Sequence, residues 1–128
     1  MAEMSNYLEE KIINLTLRGI AYTAPTSVWL ALYTSNPTDA DTGTECSGGS
    51  YERKQITFGA PTDGTATNSA EIEYDSATTD WGTISYVGIR DASTGGNLLY
   101  HTGLTVPKPI AEGDIFKVQI DNLSVTIA

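Results

Sequence analysis

The stretch SVWLALYT, Ser27 to Thr34, sets Val28, Leu30 and Leu32 on one face of a strand and Trp29, Ala31 and Tyr33 on the other. Apolar residues on both faces predict a central strand covered from both sides. Just upstream the period is different. SNYLEEKIINLTLR, Ser5 to Arg18, carries Leu8, Ile12 and Leu15 in one row and Ile13, Leu17 and Ile20 in a second, the spacing of an amphipathic helix. Ser5 or Asn6 can cap its start, and Asn6 with Glu9 has capping-box spacing with Asn in the place of the usual Ser or Thr. Glu9 and Glu10 in the first turn and Arg18 in the last suit the helix dipole, and Gly19 stands where a helix ends.

Downstream the alternating period recurs. YERKQITF (51–58), SAEIEYDS (69–76), GTISYVGIRD (82–91), GNLLYHTG (96–103), DIFKVQI (114–120) and NLSVTIA (122–128) each read as strands. ASTGG (92–96) has the glycines of a hairpin turn, with Asp91 placed to hydrogen-bond back to it. GAPTDGTATN (59–68) reads as a turn-rich connection. About seven or more short strands behind one helix predict a mainly β fold, an antiparallel, jelly-roll-like β-sandwich. The expected organisation is a single domain over residues 1–128, with the N-terminal helix in 1–20 and the sandwich in 27–128.

Length and charge narrow the function classes. A chain of 128 residues buries roughly two thirds of its unfolded surface around one core. A net charge of −9 with only seven Lys and Arg, scattered, argues against nucleic acid as a partner. No apolar run approaches a membrane-spanning length and no charged start precedes an apolar segment, so a soluble, unprocessed protein is expected. The single cysteine, Cys46, makes no internal disulfide and suits a reducing compartment.

The long connection from Ser35 to Ser50 holds the residues that most invite a chemical reading. Asp41-Thr42-Gly43-Thr44 matches an aspartic-protease signature, and YVGIRD (86–91) faintly echoes the second signature of such enzymes. In those enzymes the aspartate ends a rigid apolar strand, whereas here it follows Thr38, Asp39 and Ala40, so the match reads as chance. Asp39, Asp41 and Glu45 are weak metal candidates at alternate positions, without the Gly and Glu that a calcium-binding EF-hand loop needs further on. The lone histidine, His101, reads as a strand residue satisfied by hydrogen bonds, and Cys46 as a small residue at a strand entrance. Trp29 and Trp81 could form a sugar-stacking face but suit a core or interface better. No phosphate loop, nucleophile elbow or zinc spacing occurs, so neither an enzyme nor a bound cofactor is expected.

Across its length the chain resembles one family. MSNYLEEKIINLTLRG (4–19), VWLALYTSNPTD (28–39), GTECSGGSYERKQITFGAP (43–61), DWGTISYVGIRDASTGGNLLYHTGL (80–104) and GDIFKVQIDNLSVTI (113–127) are similar, in this order, to small bacteriophage virion proteins of tail-fibre-like or head-decoration (cement) type. The resemblance implies a non-enzymatic structural role in the virion after assembly in the host cytoplasm. Its first form is a homotrimer that clamps the major capsid protein and stabilises the head. The alternative is a tail-fibre or tail-tip component for host recognition, with glycan binding as a variant. Neither form involves nucleic acid or membrane. The expected assembly surface is the helix face, through Leu8, Ile12, Ile13, Leu15 and Leu17, together with the long Ser35–Ser50 loop; the alternative is that the helix only covers the sandwich.

Overall fold

A computed structural model describes residues 2–127. It is mainly β, with antiparallel sheets and one helix near the N-terminus. In chain order the elements are β1 (Glu3–Met4), α1 (Asn6–Leu17), β2 (Val28–Tyr33), β3 (Lys54–Ile56), β4 (Thr65–Thr67), β5 (Ile72–Glu73), β6 (Gly82–Arg90), β7 (Leu98–Ile110), β8 (Lys117–Val118) and β9 (Ser124–Thr126). A five-stranded sheet has the order β1-β7-β6-β2-β3. Facing it is a layer of two separate ribbons, β4–β9 and β5–β8, in place of a second continuous jelly-roll sheet.

β2 occupies the interior position that SVWLALYT predicts, between β6 and β3. Leu30 and Leu32 join Ile56, Ile84, Val87 and Ile89 in the core against Ile72, Tyr74, Phe116, Leu123 and Val125 of the ribbon layer. Ala31 and Tyr33 point the other way and are equally buried, at 0% and 1% exposure. Their cover is not a sheet; it comes from the Ser35–Ser50 connection and the β6–β7 turn, described below. Gly88 pairs with Ala31 on this second face, where an added Cβ would lie 2.8 Å from both the Tyr33 ring and Leu98. The glycine of YVGIRD is therefore a packing requirement.

Three elements depart from the sequence reading. A two-residue strand, β1, precedes the helix inside the 1–20 segment and pairs with β7 at His101 and Tyr100. Two residues carry no periodicity signal. β4 forms inside GAPTDGTATN and pairs with β9, with Thr65 and Thr126 hydroxyls 2.8 Å apart. β7 runs on past Gly103 to Ile110 despite Pro107 and Pro109. β1 covers β7 only at residues 100–101, so the proline segment lies on an open edge, where a missing N–H is tolerated. Prolines and short outer strands also blunt the edges against unwanted pairing.

α1 begins at the Ser5 cap, whose hydroxyl accepts from the Leu8 N–H at 3.2 Å and donates to the Leu98 carbonyl. Ser5, not the Asn6 and Glu9 pair, thus supplies the cap. The Ser5 N–H donates to Leu99 O at 2.9 Å and the Asn6 N–H to Asp39 O at 2.8 Å, so the root of the helix is fastened to β7 and to the long connection. At the far end Ile20 N–H returns to Asn14 O at 3.0 Å, closing the last turn around Gly19. Among the described residues no helix is long and apolar enough to cross a membrane.

Candidate functional site

Two neighbouring regions hold the residues singled out in the sequence. The first is the Ser35–Ser50 connection, which lies as a fastened layer over the second face of the sheet. Arg53, just before β3, and Arg90, at the end of β6, are buried to 9% and 8% exposure and organise it. Arg90 donates from its two terminal nitrogens to the Asp41 carboxylate at 2.8 and 2.9 Å and to the Tyr33 hydroxyl at 2.9 Å. Arg53 grips Glu45 in the same two-pronged way, at 2.9 and 2.8 Å. Their remaining donors reach the β6–β7 turn: Arg53 to Ala92 O and Gly95 O, and Arg90 to Gly95 O and Gly96 O. The turn itself is held as the sequence anticipates, with Asp91 accepting from the Asn97 backbone and side chain.

This lattice decides what the acidic residues can do. Both Asp41 oxygens accept from the Arg90 guanidinium, and the residue sits in a loop at φ 58° and not at the end of an apolar strand. Burial raises the Glu45 pKa, but bonds from Arg53 and from the Tyr51 hydroxyl at 2.6 Å outweigh it and hold the carboxyl below its ordinary value. The three metal candidates do not converge. Asp41 goes to Arg90, Glu45 to Arg53, and Asp39 to His101, whose Nε2 lies 2.8 Å away. The alternate spacing fails as a ligand pattern because the loop is not a strand, so its side chains diverge.

The second half of the connection packs on aromatic residues. Trp81, 3% exposed, donates its indole N–H to Gly49 O at 2.9 Å, and a Cβ on Gly49 would come within 2.0 Å of Thr78 Oγ1. The glycines of SGGSY thus allow the chain to lie directly on this surface. Tyr51, Tyr74, Trp81 and Phe116 form a cluster with ring centroids 5.3 to 6.1 Å apart. Trp81 is core and presents no sugar-stacking face. Cys46 is buried beside Glu45, and burial with that neighbouring charge pushes its thiol up to about 12, which removes it from thiolate chemistry at neutral pH.

The second region is α1. Of the expected assembly residues, Leu8 is buried at 4% exposure and cannot meet a partner, and Ile12 is half-buried. Ile13, Leu15 and Leu17 are open at 53%, 44% and 78%, and Ile20 just beyond the helix at 44%. Ile13, Leu17 and Ile20 repeat at i, i+4 and i+7, so they line one side of the helix and its exit. Such an unpartnered apolar row is the surface feature expected of a contact with another chain. Sequence reasoning missed Arg53 and Arg90 as organisers, because no spacing rule links them to Asp41 and Glu45.

No curated protein matches the chain. A family model described as Podophage GP4 fiber I protein gp80 matches residues 3–126, nearly the whole sequence. By that match the chain belongs to the Podophage GP4 fiber I protein gp80 family, and so to the structural proteins of the phage virion.

Proposed function

We propose that the protein is a non-enzymatic subunit of the virion fibre apparatus that is held in the particle through the exposed side of α1. The observation that carries this reading is the row Ile13, Leu17 and Ile20, which lies open to solvent along one side of the helix and its exit, whereas the exposed large aliphatics elsewhere, Val106, Ile115, Ile120 and Ile127, stand singly on β7 or outside the strands. An assembly of copies would bury this row, and a homotrimer is the form we favour, since closed symmetry gives each copy the same contact. The commitment of Asp41 and Glu45 to arginines and the burial of Cys46 support a structural over a catalytic role. The family description, which names a fibre protein, favours the fibre position over the capsid surface.

A second reading, trimeric head decoration bound to the major capsid protein, is favoured by the fold: residues 2–127 make a layered body without a repeated shaft. Copy number separates the two. Quantitative mass spectrometry of purified particles, with antibody-labelled electron microscopy, is expected to find few copies at the tail. Many copies spread over the head would overturn the fibre reading in favour of decoration. Leu17→Glu is expected to fold normally yet fail to enter particles, and normal incorporation of that variant would remove the helix from the contact.

A further inference from the structure

We propose a divalent transition-metal site of zinc type formed by Glu3, Asp39 and His101. The three residues come from β1, the long connection and β7, and their ligand atoms lie within 4.8 Å of one another. His101 Nε2 is 2.8 Å from Asp39 Oδ1 and 3.9 Å from Glu3 Oε2. Metal–ligand bonds of about 2.0–2.2 Å place ligand atoms roughly 3 to 4 Å apart, so small side-chain rotations bring this trio to bonding geometry. The placement is fixed by the fold. Glu3 and His101 are direct cross-strand partners, and Asp39 is held by its carbonyl, which accepts the Asn6 N–H at the root of α1. His101 is 5% exposed and rigidly packed, whereas the Glu3 and Asp39 side chains are 71% and 45% exposed, so an ion has an open approach and room for water ligands.

An imidazole with two carboxylates suits zinc-class ions better than calcium or magnesium, which take oxygen donors alone. Ligation through Nε2 takes the imidazole in its Nδ1–H tautomer, so the ion occupies the place of the hydrogen between Nε2 and Asp39. It would clamp β1 and the helix root to β7. This inference is independent of where in the virion the protein sits.

His101 is the chain's single histidine, which makes the test direct. Chelator-treated full-length protein is titrated with Zn²⁺ by calorimetry, melting temperature and ¹⁵N NMR of the imidazole. One ion per chain, a shift of the Nε2 resonance and a melting point raised by several degrees are expected. Glu3→Gln, at an exposed position, should weaken binding by at least about tenfold, the least loss seen when groups that merely orient a ligand are removed. His101→Gln should abolish it. An unmoved Nε2 resonance at millimolar Zn²⁺, or wild-type affinity in Glu3→Gln, overturns the site. Should His101→Gln fail to fold, Glu3→Gln and the resonance decide alone.

Discussion

The Ser35–Ser50 connection and the helix α1 touch at the Asn6–Asp39 hydrogen bond, yet they invert what their sequences suggest. The connection has no periodicity and is rich in polar residues, but it is fastened along its length by Asp39, Asp41, Glu45 and Gly49. The helix has a clean apolar period, but only Leu8 is buried and its outer half projects Ile13 and Leu17 into solvent. Partners, not composition, decide which segment is held. Two guanidiniums with several donors each can anchor a polar loop as firmly as a hydrophobic stripe anchors a helix, provided every donor is matched. Among the described residues no buried side-chain nitrogen or oxygen lacks a hydrogen-bond partner.

The comparison breaks most severely at Arg53. Arg53→Met leaves Glu45 and the turn carbonyls without their donor, and removing one member of a buried pair costs about 3–5 kcal/mol. Because Glu45 is 26% exposed and can regain water, the lower end of that range is expected in urea unfolding. Failure to lose stability would mean the connection is held by its backbone alone.

Glu45→Gln probes the same pair more gently, at about 1.5–3 kcal/mol near neutral pH, the range for a hydrogen bond to a charged group. Its pH dependence follows from the sign of the shift. The folded carboxyl has a pKa below its ordinary 4.5, so its contribution is complete above that value and is lost as pH falls through the folded value. Melting curves of wild type and Glu45→Gln should therefore converge below about pH 4.5, counted from the ordinary value. Parallel curves down to pH 2 would show that this pair does not carry the charge.

At the helix root, Ser5→Ala removes the cap and the bond to Leu98, and a loss of about 1 kcal/mol, at most 2, is expected by the same unfolding measurement. Hydrogen exchange should rise first in the opening turn of α1. The smallest stability effect belongs to Leu17→Glu, within about 0.5 kcal/mol, since an exposed side chain loses no packing. A large loss there would show that the helix face is already buried in solution, against a second copy.

Much of the fold was legible because it rests on short-range periodicity. The helix, β2 and the β6–β7 hairpin with its Asp91-braced turn all announce themselves through alternation, helical spacing and turn residues. β1 and β4 did not, because two or three residues between turns carry no measurable period and exist only through their partners β7 and β9. The extension of β7 through Pro107 and Pro109 was hidden for the opposite reason: a local rule against proline in strands is relaxed at an open edge, and openness is a property of the neighbours.

The candidate sites divide along the same line. Sequence alone determined that α1 has more apolar surface than one seam needs, that Asp41 lacks a rigid strand to support catalysis, and that β2 is covered on both faces. It could not say what covers the second face, since Arg90 meets Asp41 across 49 positions and Arg53 meets Ala92 across 39. Nor could alternation in a loop forecast that Asp39 would turn from Asp41 and Glu45 to join Glu3 and His101. Charges that choose partners far along the chain do so by tertiary proximity, after the backbone has brought distant segments together, and local sequence carries no record of that choice.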